Sequence, residues 1–185
     1  IKLAVPGEDL QNVIGGVDFL RKATLKEPVE VGKRVAVIGG GNAAIDSART
    51  ALRMGAKEVT IIYRRLKEQM PAEIEEIHDA EKEGVKFVFL AAPIRILGNG
   101  KVEDIECVRM ELGDFDRSGR RKPVPIEGSE FVIPVDMVIP AISQSVDLDF
   151  IENDQELKVT KWNTLDVDPD TLATGLTGVF AGGDA

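Results

Sequence analysis

The chain has 185 residues, of which 43% are hydrophobic and 30% are charged, with one histidine, one cysteine and a net charge of −9. This composition is typical of a globular protein of one domain or slightly more, and it excludes a multi-histidine metal cluster, an internal disulfide and a cysteine-rich metal site. The acidic balance argues against a nucleic-acid partner. Because we find no signal peptide and no apolar run near the ~20 residues that span a membrane, we expect a cytoplasmic protein without a membrane partner.

The first half of the chain alternates strand and helix patterns. Gly55 and Gly84 are predicted to end the two helices, and Pro71 is predicted to lie in the first turn of the second helix. A strand is predicted at 33–38, a helix at 42–54, a strand at 58–65, a helix at 70–84 and a strand at 85–90. Alternation of this kind predicts a parallel sheet with right-handed crossovers.

The second half of the chain changes to short extended runs. They lie at 94–98, 101–112 and 129–134, separated by "GNGK" and "GDFDRSGRRKP". Asn99-Gly100 is a strong tight-turn signal, so we expect an antiparallel meander here. A buried central strand is predicted at 135–142 and a last strand at 178–183. The predicted fold is therefore α/β, a Rossmann-like parallel sheet with an antiparallel β-meander insertion.

A glycine-rich turn joins the first strand to the first helix. Gly39, Gly41 and Ala44 fit the spacing G-x-G-x-x-A. Gly39 permits the tight turn, Gly41 lets a pyrophosphate approach the backbone, and Ala44 lets the helix pack closely on the strand. The amides of Asn42 and Ala43 are then expected to face the phosphate at the positive end of the helix. The alternative is a compact turn without a ligand.

The end of the second strand decides which dinucleotide is expected. An acidic residue at this position binds the ribose 2′-hydroxyl of NAD, but the chain has "YRRLK" here, with Arg64 and Arg65. Because arginine suits a 2′-phosphate, we predict NADP(H). The alternative is a solvated basic loop. Tyr63 and Lys67 also spell Y-x-x-x-K, but the pair used by short-chain dehydrogenases lies on a helix far downstream, so we reject that reading.

The segment "VAVIGGGNAAIDSARTALRMGAKEVTIIYRRLKEQMPA", followed by "EEIHDAEKEGVKF", resembles the NADPH-binding domain of the glutamate synthase small (β) subunit family. The flavin subunit of ferredoxin:NADP oxidoreductase and the flavin part of dihydropyrimidine dehydrogenase are similar. In that family the NADPH domain is inserted into an FAD domain. The resemblance implies that residues 1–20 leave an FAD domain, 21–177 bind NADP(H), and 178–185 begin the return. The missing initial methionine and the final "GGDA" agree with a piece of a longer protein.

The resemblance also implies further site residues. Asp46 matches an acidic residue near the nicotinamide, although an acidic residue this early in a helix also favours the helix dipole. Ser143 and Gln144 stand where relatives have a Gly-Gln pair, so the serine side chain is expected to narrow the space beside the nicotinamide. Gly183 and Asp184 are expected to contact the flavin.

The function expected from the resemblance is to bind NADPH and present it for hydride transfer to or from FAD. Partners would be the FAD domain of the same chain and an iron–sulfur or large catalytic subunit. Two alternatives stay open: a non-catalytic regulatory or assembly module, and a dehydrogenase acting directly on a small substrate. No catalytic side chain is predicted, because His78 is expected to be a surface residue and Cys107 a buried, inert thiol.

Overall fold

The computed structural model describes residues 2–115, 119–142, 148 and 157–183. The chain divides into two units, Ile1–Ile142 and Ser143–Ala185. The helices are α1 (Gly16–Leu25), α2 (Asn42–Arg53) and α3 (Ile74–Lys82), and the strands are β1 (Arg34–Ile38), β2 (Glu58–Tyr63), β3 (Lys86–Phe89), β4 (Ala91–Leu97), β5 (Asp104–Phe115), β6 (Arg121–Pro125), β7 (Phe131–Pro134) and β8 (Met137–Pro140). All of them lie in the first unit, where a helix-covered sheet packs on a second sheet.

The first sheet is parallel and has the strand order β3-β2-β1-β8. Ile38 at the end of β1 pairs with Ile62 of β2 on one side and Pro140 of β8 on the other. The chain order therefore reverses at β1, and in folds of this type ligands bind at the carboxyl ends of the strands beside such a reversal. This sheet and a separate antiparallel one confirm the predicted fold class.

Strand β1 is buried on both faces, as expected for a central parallel strand. Val35 and Val37 belong to the apolar core that also contains Ile45 of α2, whereas Ala36 and Ile38 belong to a second core shared with the antiparallel sheet. Side chains of a strand alternate between its faces, so one short run supplies both cores. The position of the glycine turn that follows β1 is thereby fixed from both faces of the sheet.

Helix α1 was not predicted from the sequence. The extended residues before it pair with β8, since the amide of Ile14 donates to the carbonyl of Val138 at 3.1 Å. Phe19 is fully buried, but Val17 and Leu25 of the same helix are 47% and 56% exposed. Gly16 and Phe19 are the buried residues of α1, so the helix packs on the sheet through a small part of its surface.

The antiparallel sheet is built around the long strand β5. Strands β4, β6 and β7 all pair with β5. The sequence prediction treated 113–123 as a divider between extended runs, but Leu112 and Phe115 of β5 pair with Pro123 and Arg121 of β6, so β5 extends into this stretch and β6 begins in it. The sequence did not predict β6 because it contains Pro123 and Pro125, and proline in a sheet is confined to edge positions.

Two further element predictions need correction. Helix α3 begins at Ile74, so Pro71 lies before the helix and not in its first turn. The amide of Ala72 donates to the carbonyl of Gly40 at 3.2 Å, which holds this segment out of the helix. The strand predicted at 178–183 is also wrong, because in this stretch Phe180 makes only an isolated bridge with Ala173.

None of the helices in the described part of the chain combines the length and the apolar composition needed to cross a membrane.

Candidate functional site

The turn after β1 begins with a glycine that no other residue can replace without strain. Gly39 has φ +147°, and a Cβ at this position would lie 2.3 Å from the carbonyl oxygen of Ala141. The amide of Gly39 donates to the carbonyl of Ile62 at 3.2 Å. The role predicted for Gly39, to permit the tight turn, agrees with this geometry.

The second glycine of the turn is required by packing. A Cβ on Gly40 would lie 2.5 Å from Cε2 of Tyr63. The Tyr63 hydroxyl donates to the carbonyl of Gln69 at 2.8 Å, and its ring is buried. Sequence reasoning gave no role to Gly40, and the run of three glycines was the signal available for it.

The third glycine, by contrast, is not required by the fold. Gly41 is the N-cap of α2 with φ −91°, and an added Cβ would meet only Cγ of Pro71, at 3.9 Å. The added Cβ would therefore make one ordinary van der Waals contact and no close one. The fold alone does not explain this glycine, and its predicted role beside a pyrophosphate stays a prediction.

The first amides of α2 are available to an anion. The amides of Ala44 and Ile45 donate to the carbonyl of Gly41 at 2.9 and 3.2 Å. Across the described ranges, no hydrogen bond is present from the amides of Asn42 and Ala43. Ala44 is fully buried, which allows the close packing predicted for it. A phosphate at this helix end would satisfy donors that the protein leaves open.

Two polar side chains follow on one face of α2. The side-chain oxygen of Asn42 accepts a hydrogen bond from the amide of Glu73 at 3.0 Å. Asp46 lies one turn later, is exposed, and makes no hydrogen bond or ion pair with any residue that the structure describes. Its carboxylate is thus available to a ligand, and its predicted place beside a nicotinamide stays a prediction.

The two arginines after β2 lie in different environments. Arg64 is exposed, whereas Arg65 is only 6% exposed. Nε of Arg65 donates to the carbonyl of Arg121 on β6 at 3.1 Å, and the carbonyl of Arg65 accepts from the amide of Leu90 at 3.2 Å. The structure therefore presents Arg64 to solvent and directs Arg65 toward the antiparallel sheet. That both bind a phosphate stays a prediction.

Both members of the Y-x-x-x-K pair have structural partners. The Tyr63 hydroxyl is hydrogen-bonded to Gln69 as described above, and Nζ of Lys67 lies 2.6 Å from a carboxylate oxygen of Glu81. These contacts agree with rejecting the pair as a catalytic dyad.

The remaining predicted residues divide into three groups. Ser143, Gln144 and Asp184 lie outside the described residues. Gly183 lies in the second unit with φ +76°, and its contact with a flavin stays a prediction. His78 is exposed on α3, and Cys107 is fully buried. The expected surface histidine and the expected buried thiol are therefore confirmed.

The thiol of Cys107 is chemically inert in this environment. Burial raises its pKa to about 12, so the thiolate is not populated near neutral pH. Among the residues that the structure describes, no group of three or more histidine, cysteine, aspartate or glutamate side chains is placed to hold a metal ion. Neither feature offers an alternative site to the glycine turn.

A glycine turn at the carboxyl end of a central parallel strand, with open amides at the following helix, is typical of dinucleotide-binding folds. The chain belongs to the pyridine nucleotide-disulphide oxidoreductase family, whose model matches residues 1–185. This assignment confirms the predicted resemblance at the level of the family.

Curated relatives extend the assignment. The chain is 51% identical over 99% of its length to the NADP(+)-dependent formate dehydrogenase subunit beta of Moorella thermoacetica, and covers 26% of that protein. It is 42% identical over 98% of its length to the glutamate synthase [NADPH] small chain of Azospirillum brasilense, and covers 40% of that protein. The chain thus spans less than half the length of these relatives.

Among solved structures, FprA of Mycobacterium tuberculosis in complex with NADPH is similar, with a TM-score of 0.67 and 25% identity. The match covers 80% of this chain and 49% of FprA. Thioredoxin reductase of T. acidophilum has the same fold, with a TM-score of 0.71 over the whole of this chain.

Proposed function

We propose that this chain binds NADPH, with the pyrophosphate over Gly41 and the first turn of α2. The observation that carries the proposal is the difference between the three glycines. Gly39 and Gly40 are required by contacts with Ala141 and Tyr63, but a Cβ on Gly41 would make only an ordinary contact with Cγ of Pro71, at 3.9 Å. The open amides of Asn42 and Ala43 would then donate to the pyrophosphate at the positive end of the helix dipole.

The choice of NADPH over NADH is assigned to the carboxyl end of β2. Arg64 is exposed there, one residue beyond Tyr63, whose ring packs on the glycine turn. A guanidinium at this point would pair with the 2′-phosphate, which NADH lacks. Two relatives are named for NADP(+) or NADPH, the formate dehydrogenase subunit beta and the glutamate synthase small chain, and FprA was solved in complex with NADPH. These similarities support the assignment.

The nicotinamide end of the site is proposed to lie beside Asp46. Its carboxylate would orient the carboxamide of the ring, and Ser143 and Gln144 are further proposed contacts of the nicotinamide. Bound FAD would supply the hydride chemistry. We place the FAD domain in the parent protein, left at residues 1–20 and re-entered at 178–185, where Gly183 and Asp184 would contact the flavin. Residues 21–177 would form the NADPH domain.

The parent protein is proposed to be an NADPH-dependent flavin oxidoreductase similar to the glutamate synthase small subunit. Its electrons would pass between NADPH, FAD and an iron–sulfur or large catalytic subunit. Two of the relatives above are named as a subunit or a small chain of a larger enzyme, which supports a partner of this kind.

Gly41→Ala tests the proposal directly, because the fold has room for the added methyl group. We expect calorimetric titration to show that NADPH affinity falls by about tenfold or more, since the methyl group would displace the pyrophosphate from the helix amides. Gly182→Ala is the matched control, because its added Cβ would have Leu172 as its nearest contact at 3.7 Å. Unchanged NADPH affinity in a folded Gly41→Ala variant, or no binding by the wild type, would contradict the proposal.

A further inference from the structure

Adjacent arginines follow β2, and their surroundings differ enough to separate their roles. We propose that Arg65 is a positioning residue that fixes Arg64 for the 2′-phosphate by joining the end of β2 to the paired strands β5 and β6, and that Arg65 is not itself a phosphate ligand. This inference rests on the proposed NADPH site. Arg65 is 6% exposed and its Nε donates to the carbonyl of Arg121.

Arg121, whose carbonyl accepts the Arg65 hydrogen bond, is itself bonded to β5. The guanidinium of Arg121 donates from Nε to the carbonyl of Gly113 at 3.0 Å and from Nη2 to the carbonyl of Leu112 at 2.6 Å. These contacts hold β6 on β5 next to the irregularity in their pairing between Leu112 and Phe115. The side chain of Arg121 is therefore engaged with backbone carbonyls, and its own backbone carbonyl accepts the hydrogen bond from Arg65.

A second connection joins the same two places in the fold. The amide of Leu90 donates to the carbonyl of Arg65 at 3.2 Å, and the carbonyl of Leu90 accepts from the amide of Met110 at 2.8 Å. Leu90 has φ +50°, a left-handed conformation that leucine rarely adopts. A residue held in this conformation while bonded on both sides indicates that β2 and β5 are fixed relative to each other at this point.

Arg64 is thereby held on both sides. On its amino side, Tyr63 packs on Gly40 and is hydrogen-bonded to Gln69. On its carboxyl side, Arg65 is fixed by Arg121 and Leu90. Arg64 is the exposed side chain between two fixed neighbours, so little backbone freedom remains to be lost when it binds a phosphate.

The test compares binding of 2′,5′-ADP and 5′-AMP, two probes that differ in the 2′-phosphate. Arg64→Met is expected to lower the affinity ratio of the two probes about tenfold, as for loss of a charge-assisted hydrogen bond. Arg65→Met and Arg121→Met are each expected to lower the same ratio, and neither is expected to lower it further in the Arg64→Met background. Lys122→Met, an exposed cation on the same strand as Arg121, is the control for charge and is expected to leave the ratio unchanged.

Arg121→Met tests the positioning role of Arg65 even if the Arg65→Met variant fails to fold. A wild-type ratio in Arg121→Met, or an equal loss in Lys122→Met, would overturn the positioning role. A further loss when Arg65→Met is added to Arg64→Met would also overturn it, because it would show an independent contact with the phosphate. If the wild type does not distinguish the two probes, the proposed NADPH site itself fails. The two failures are therefore distinguishable.

Discussion

The ring of Tyr63 lies against the backbone of Gly40, so that a Cβ on Gly40 would come within 2.5 Å of Cε2 of the ring. The ring cannot easily move away, because its hydroxyl is hydrogen-bonded to the carbonyl of Gln69 at 2.8 Å and the side chain is buried. This contact connects the glycine turn to the end of β2, the two parts of the proposed nucleotide site.

Gly40→Ala is expected to destabilise the fold by about 1–3 kcal/mol, the usual cost of overpacking. Urea denaturation measures the change in the free energy of unfolding. The Tyr63→Ala variant removes the obstacle, so adding Gly40→Ala in that background should cost much less. An equal cost in both backgrounds would show that the ring is not the reason for glycine at this position.

Asn42 joins the start of α2 to the start of α3 through its contact with the amide of Glu73. Asn42→Ala removes the acceptor and is expected to destabilise the fold by about 0.5–1.5 kcal/mol and to speed hydrogen exchange of the Glu73 amide. Asn42→Asp keeps an acceptor oxygen, so it should preserve the slow exchange. Exchange at Glu73 that is the same in Asn42→Ala and the wild type would contradict the contact.

Helices α2 and α3 are also joined by a cluster of ion pairs, and this cluster makes stability depend on pH. The hydrogen bond from Arg49 lowers the pKa of Glu83, with a further contribution from Arg53. Because the folded-state pKa is the lower one, the pair stabilises the fold above the unfolded-state pKa and is lost as pH falls through the folded-state value. Stability should therefore decrease below about pH 4.5, the ordinary carboxyl range.

The pH dependence can be assigned to Glu83 by substitution. The Glu83→Gln variant should show a shallower loss of stability between about pH 5 and pH 3 than the wild type, measured by urea denaturation. Glu75→Gln is the control, because Glu75 is exposed on the same helix and makes no ion pair within the described part of the chain. If Glu75→Gln and Glu83→Gln give the same curve, the ion pair with Arg49 does not carry the effect.

The thiol of Cys107 is expected to be protected in the folded protein. Its side chain is fully buried, and burial raises its pKa to about 12. Reaction with Ellman's reagent near neutral pH should therefore be slow and should follow the rate at which the chain opens, whereas the denatured chain should react at once. Rapid stoichiometric reaction without denaturant would show that the thiol is accessible in the native fold.

Much of the parallel sheet could be predicted from the sequence. The apolar run before Gly39 and the helical spacing of residues such as Ala44, Ala48 and Ala51 identify a strand and a helix from local patterns. Strand β6 and helix α1 were missed because their stability depends on contacts distant in sequence. Pro123 pairs with Leu112 across the sheet, and Gly16 lies against Ala141, with 3.0 Å between the Cβ of Ala141 and a Cβ built on Gly16.

The candidate site was also predicted only where it depends on a local sequence pattern. The G-x-G-x-x-A spacing identifies Gly39, Gly41 and Ala44, because a local turn and a helix start require them. The packing of Tyr63 on Gly40 joins residues from two strands, so spacing gives no indication of it. The difference between Arg64 and Arg65 is also invisible in the sequence, since it depends on the carbonyl of Arg121, which lies on another sheet.

The central claim, an NADPH site formed by the glycine turn and Arg64, is tested most directly by calorimetric titration with NADPH and then NADH. The wild type should bind NADPH at least about tenfold more tightly, and Arg64→Met should remove that preference while keeping NADH binding, because one charge-assisted contact with the 2′-phosphate is lost. Lys57→Met is the control, because Lys57 is an exposed cation beside the opposite end of β2. Equal affinity of the wild type for both nucleotides, or a preference retained in Arg64→Met, would contradict the account.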